Sequence, residues 1–150
     1  MPEEKNAPSE LVAKGNLLTS TGRFAEAVSA FDKALEENPR YAEAWNNRGI
    51  ALVNANMVNE ALKSFEKAGN LDPKHTDAWY NMGVVLSCQG KYEEAIKYLR
   101  KATDANPDNS YAWNNLGIVF KHLNRDAEAK GAFDKAQGLS VRRQGSCQRR

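Results

Sequence analysis

Few side chains in this sequence are placed for making or breaking bonds. His75 follows Pro73 in a turn-like stretch and His122 lies far along the chain, so nothing in the spacing pairs them. Cys88 and Cys147 form neither a disulfide framework nor a metal-ligand pattern and read as free thiols. Cys147 is fourth from the end, where a prenylated cysteine would stand, but Gln148 and Arg149 are not aliphatic and the pattern fails. Carboxylate pairs such as Glu36-Glu37 and Glu93-Glu94 are adjacent residues on solvated helix faces, and no phosphate-binding glycine loop or nucleophile motif occurs. The sequence therefore predicts no enzyme, no catalytic residue, no metal site and no cofactor. Amides recur instead: Asn47, Asn81 and Asn115 each stand two residues after a tryptophan, at Trp45, Trp79 and Trp113. A side-chain amide carries both donor and acceptor, so it can bond a peptide unit without reading its side chain.

Those asparagines recur every 34 residues, and so does much else. Gly15, Gly49, Gly83 and Gly117 fall in register, as do Ala27, Ala61, Ala95 and Ala129, and Phe31, Phe65, Leu99 and Phe133. Ala34, Ala68, Ala102 and Ala136 follow, then Pro39, Pro73 and Pro107, with Val141 in the fourth proline's place. Apolar residues at helical spacing, as in Trp79, Met82, Gly83 and Leu86, predict a first helix in each unit. Glycine inside a helix costs about 1 kcal/mol against alanine, so four in register imply close approach of a second helix. Gly22, Asn56, Gly90 and Asn124 mark the turn, because glycine and asparagine best tolerate the left-handed conformation past a helix end. Second helices are predicted at 24–37, 58–71, 92–105 and 126–139, the first three stopped by proline. Ser9 is the expected cap of the first helix and Asp126 of the last.

A 34-residue unit with aromatic, small, small, aromatic, small and proline in this order resembles the tetratricopeptide repeat. The resemblance covers about residues 8 to 141. It implies an all-α, right-handed superhelical solenoid of antiparallel helix pairs, with repeats at 8–41, 42–75, 76–109 and a degenerate 110–141. Residues 1–7 then read as a flexible arm and 142–150 as a flexible basic tail, with Arg142, Arg143, Arg149 and Arg150 and no acid. The chain has 21 basic and 19 acidic residues, and no apolar run approaches the roughly 18 residues of a membrane span. With no apolar secretion signal at its polar N-terminus, a cytoplasmic location is the expectation.

By the same resemblance, the first helices line an inner face. The clamp that some members use for a C-terminal carboxylate matches at Asn16 and Asn47, but positions needing positive charge hold Val12, Asp77 and Asn81, so that reading is rejected. A second family pattern is an asparagine ladder that bonds the backbone of an extended peptide. Asn47, Asn81 and Asn115 reproduce three rungs, and Ala13 breaks the ladder in the first unit. Helices ~10 Å apart and a peptide advancing ~3.3 Å per residue give a rung about every third ligand residue. Asn16, Asn47, Ile50, Tyr80, Asn81, Val84, Tyr111, Asn115 and Ile118 are the expected peptide-binding residues, and the partner a protein or peptide. The face is not a basic groove, so no DNA partner is expected. The arginine tail offers RNA or an anionic membrane some attraction, but a solvated tail is the simpler reading. The alternative function is a self-assembling scaffold, a homo-oligomer formed through an uncapped last helix, with Phe133 and Leu139 as its candidate contacts.

Overall fold

The computed structural model describes residues 6–147, and side-chain burial for residues 6–140. Among the described residues the structure consists of eight α-helices and no strands, in two compact units. The first unit, Met1–Pro73, holds α1 (Pro8–Ser20), α2 (Phe24–Glu37), α3 (Ala42–Asn54) and α4 (Val58–Leu71). The second, Lys74–Arg150, holds α5 (Thr76–Cys88), α6 (Tyr92–Ala105), α7 (Ser110–His122) and α8 (Asp126–Cys147).

Each hairpin is built by the residues that repeat. Gly22, Asn56, Gly90 and Asn124 take φ of +79°, +62°, +76° and +57°. That left-handed residue swings the next amide back to the helix it leaves: Arg23 N–H reaches Leu18 O at 2.9 Å and Met57 N–H reaches Leu52 O at 2.8 Å. Lys91 and Arg125 make the same bond to Leu86 and Phe120. The second helix then folds back onto the helical glycine. A Cβ on Gly15 would lie 2.5 Å from the Phe31 ring, on Gly49 2.5 Å from Phe65, on Gly83 2.6 Å from Leu99 and on Gly117 2.6 Å from Phe133. Phe31 and Leu99 are fully buried and Phe65 almost so. Burying a side chain of this size stabilises by about 2–3 kcal/mol, which offsets the helical cost of the glycine beneath it.

Tryptophan and proline are joined as well. The Trp45 Nε1–H donates to Pro39 O at 2.9 Å and the Trp113 Nε1–H to Pro107 O at 2.8 Å, which fastens the start of a first helix to the turn that precedes it. Within each unit the next hairpin packs on the one before through its first helix. In the first unit Arg48 of α3, largely shielded from solvent, donates to Asp32 Oδ1 of α2 at 2.7 Å and to Ser64 Oγ of α4 at 2.7 Å. In the second, Ala112, Leu116 and Val119 of α7 are buried.

Helix ends depart from expectation in three places. Ser9 does not cap α1, which begins at Pro8, with Ala7 at the cap position and no side-chain bond to it. Proline at the first helical position has its φ already set for a helix and leaves one fewer unpaired amide at the helix start. Asp126 is the first residue of α8, where its charge suits the helix dipole, and it pairs with Lys121 at 3.4 Å. The last helix does not stop at Leu139 but runs to Cys147, because Val141 stands where the other repeats place a proline and nothing between removes a backbone donor. The expected flexible tail from 142 is thus helical as far as Cys147. Residues 148–150, and residues 1–5 of the expected arm, lie outside the described residues.

Candidate functional site

In the second unit α5 and α7 lie side by side. Tyr80, Asn81 and Val84 are half-buried on α5. On α7, Tyr111, Asn115 and Ile118 occupy positions i, i+4 and i+7, which form one stripe along a helix. Tyr111 is 67% exposed and Ile118 39%, while Asn115 between them is half-buried. The Asn115 amide donates to Tyr80 Oη at 3.2 Å and to Tyr111 O at 2.9 Å, so it bridges the two first helices. Both of its N–H groups are used, and its Oδ1 points to no donor among the described residues. The bridge has a sequence signal: Tyr80 occupies the register position held by Asn46 and Asn114 elsewhere, so aromatic replaces amide only there.

The first unit repeats the arrangement in polar form. Asn16 is exposed on α1, and Asn47 and Ile50 are half-buried on α3. Asn47 Nδ2 donates to Asn16 Oδ1 at 3.0 Å and Asn47 Oδ1 accepts from Asn46 Nδ2 at 3.4 Å. Asn46 itself is buried. Within each unit one of the expected asparagines bonds across to the neighbouring first helix, Asn47 to Asn16 and Asn115 to Tyr80. Charge is sparse on this face, where Glu43, Asp77 and Lys121 are exposed. The shortest ion pair among the described residues of the second unit lies at the start of α8. There Arg125 donates to Glu128 at 2.7 and 2.9 Å and holds its carboxyl below the usual carboxylate range.

The groups examined for chemistry have other surroundings. His75 Nδ1 accepts the Ala78 amide at 3.3 Å and so caps α5, a role that the spacing did not reveal. Asn109 Oδ1 does the same for α7 through Ala112 at 3.2 Å. The His122 ring stacks on Tyr92 at 4.9 Å. Cys88 is exposed at the end of α5 and not a buried thiol. No described group of three or more His, Cys, Asp or Glu side chains is arranged to hold a metal, and no described helix is long and apolar enough to cross a membrane.

Phe133 is half-buried with its ring against Gly117, so it belongs first to its own hairpin. Leu139 is half-buried and lines a cleft with Pro107, Trp113 and Gly138, where the Lys135 ammonium sits 4.2 Å from the Trp113 ring centroid. The last helix does not present an apolar outer face at its repeat-contact positions. Lys130, Asp134 and Gln137 stand there and are exposed, in register with Val28, Asp32 and Leu35 of α2.

Comparison with known proteins follows the same lines. No curated protein matches the sequence. Among solved structures, MamA aligns with a TM-score of 0.88 at 22% identity over 95% of this chain and 83% of that one. The MamA RS-1 ArsTM double mutant aligns at 0.82 and 25% identity, over 94% of this chain and 79% of that one. PilF of Pseudomonas aeruginosa aligns at 0.80 and 27% identity, and the match covers 88% of this chain but 60% of PilF. Models of the tetratricopeptide repeat match residues 12–73, 76–109 and 98–131. With helix pairs, turn residues and buried glycines recurring in that register, the chain belongs to the tetratricopeptide-repeat family, whose fold is an all-α solenoid of antiparallel helix pairs.

Proposed function

We propose that the chain is a protein-interaction module that docks an extended peptide segment of a partner along its first helices. The family fold supports a binding role in general, since such arrays present helix faces whose specificity is set by surface residues. The observation that carries the finer reading is the stripe on α7: Tyr111 and Ile118 are large, apolar and exposed, with the Asn115 amide between them. Aromatic and aliphatic anchors of this kind supply contact area, and Asn115 Oδ1 supplies an acceptor for a peptide N–H. Because the N–H groups of Asn47 and Asn115 are already bonded within the chain, exchanging one such bond for a ligand bond changes the free energy little. The asparagines set register, and Tyr111, Ile118 and Tyr80 supply affinity.

The test is selection of binders from a displayed library of unstructured peptides, followed by titration against wild type and variants. Tyr111→Ala with Ile118→Ala is expected to weaken binding by roughly tenfold or more, and Asn115→Ala to weaken it less. Lys97→Ala, on α6, serves as the control. Peptides that bind all four proteins equally would show that the stripe is not the docking face.

A further inference from the structure

The two ends of the array carry complementary exposed residues in the register that its own hairpins use to stack. Inside the first unit, α3 meets the preceding hairpin with Ala44, Arg48 and Ala51, at i, i+4 and i+7; both alanines are fully buried, and Arg48 bonds Asp32 at 2.7 Å. Inside the second, α7 uses Ala112, Leu116 and Val119 at the same positions, all essentially buried. On α1 these positions are Glu10, Lys14 and Leu17, and all three are exposed, Leu17 at 65%. On α8 the position of Asp32 is held by Asp134, its side chain 60% exposed and, among the described residues, ion-paired with the exposed Lys130 one turn earlier at 3.1 Å. Beside it Ile118, Lys121, His122 and Phe133 enclose an open concavity of about 340 Å³. Phe133 is half-buried there, whereas its register mates Phe31 and Leu99 are fully buried.

We propose that this surface takes a second copy of the chain, stacked head to tail, with α1 of one copy laid on α7 and α8 of the next. Lys14 then bonds Asp134 of the other copy as Arg48 bonds Asp32 within the chain. Glu10 comes opposite Gln137, and Leu17 enters the concavity beside Ile118 and Phe133. Two features select a second copy as the occupant: the charges match in sign at the position where the α2–α3 seam uses an ion pair, and the exposed leucine meets the half-covered phenylalanine. The exposed Lys130–Asp134 pair is worth little and does not hold Asp134 back. The contact joins two different surfaces, so two copies joined once leave one of each free and further copies add as a ring or an open chain.

Sedimentation velocity from about 1 to about 200 µM, the range that a weak interface requires, tests this. The weight-average sedimentation coefficient is expected to rise through the range without levelling at two copies. Lys14→Glu and Asp134→Lys are each expected to abolish the rise, Leu17→Glu likewise, and the double exchange Lys14→Glu with Asp134→Lys to restore it. All of these positions are exposed, and circular dichroism checks that each variant keeps its helices. A wild type that stays monomeric throughout, a plateau at the dimer, or a double exchange that remains dissociated overturns the proposal. Stacking places Leu17 beside Ile118 and so competes with peptide; at about 1 µM, the bottom of the range, Lys14→Glu and Leu17→Glu, which lie outside the peptide stripe, are expected to bind peptide as wild type does, and the two readings fail separately.

Discussion

At Gly49 and Gly131 the same substitution is expected to act in opposite directions. Both are helical glycines, and helix propensity alone favours alanine at each by about 1 kcal/mol. At Gly49 the new Cβ would lie 2.5 Å from the Phe65 ring, which is buried and cannot withdraw. Gly49→Ala therefore overpacks the hairpin and is expected to cost about 1–3 kcal/mol. Gly131 has nothing within 4 Å of that position and is exposed on α8, so Gly131→Ala is expected to stabilise by about 0.5–1 kcal/mol. Urea denaturation of the two variants gives both signs, and a gain at Gly49 would mean that Phe65 is not fixed against α3.

Between elements, the seam of α2 and α3 turns on one ion pair. Arg48 has a side chain only 18% exposed, and Asp32 and Ser64 take its N–H groups. Asp32→Ala removes the only carboxylate from a poorly hydrated guanidinium and is expected to cost about 1–3 kcal/mol by denaturation. Asp134→Ala, in the same register on α8 and partnered among the described residues by the exposed Lys130, should stay within about 0.5 kcal/mol of wild type at low protein concentration. Comparable losses at both positions would remove the distinction between an internal seam and an open end. Such contrasts mark what the sequence makes legible. Gly22, Asn56 and Pro39 announce a hairpin because each answers a local backbone demand, and the helices they bound lie where the repeat period puts them. His75 as a cap, the Asn115–Tyr80 bridge and the run of α8 to Cys147 were not legible. Each depends on a side chain meeting another element, or on the lack of a stop signal, and periodicity records neither.

Within each unit, packing among the described residues joins helices that follow one another in the chain or are next but one. In a repeat array stability is approximately a sum over hairpins and the seams they share with their neighbours. Gly117→Leu drives a branched side chain into the space where a Cβ alone would lie 2.6 Å from Phe133, and so wedges α7 from α8. Hydrogen exchange is expected to lose protection over α7 and α8 and to weaken over α6, which packs on α7. Helices α1 to α4 should keep wild-type protection, because the stacking of their two hairpins, including the Arg48–Asp32 bond, does not involve residue 117. If protection fell evenly along the chain instead, the eight helices would be melting as one cooperative body, and stability could not be divided hairpin by hairpin. The pattern of loss would also bear on binding, since Tyr111, Asn115 and Ile118 ride on α7: a Gly117→Leu chain that keeps α1 to α4 yet loses its selected peptides would place affinity on the helix that melted.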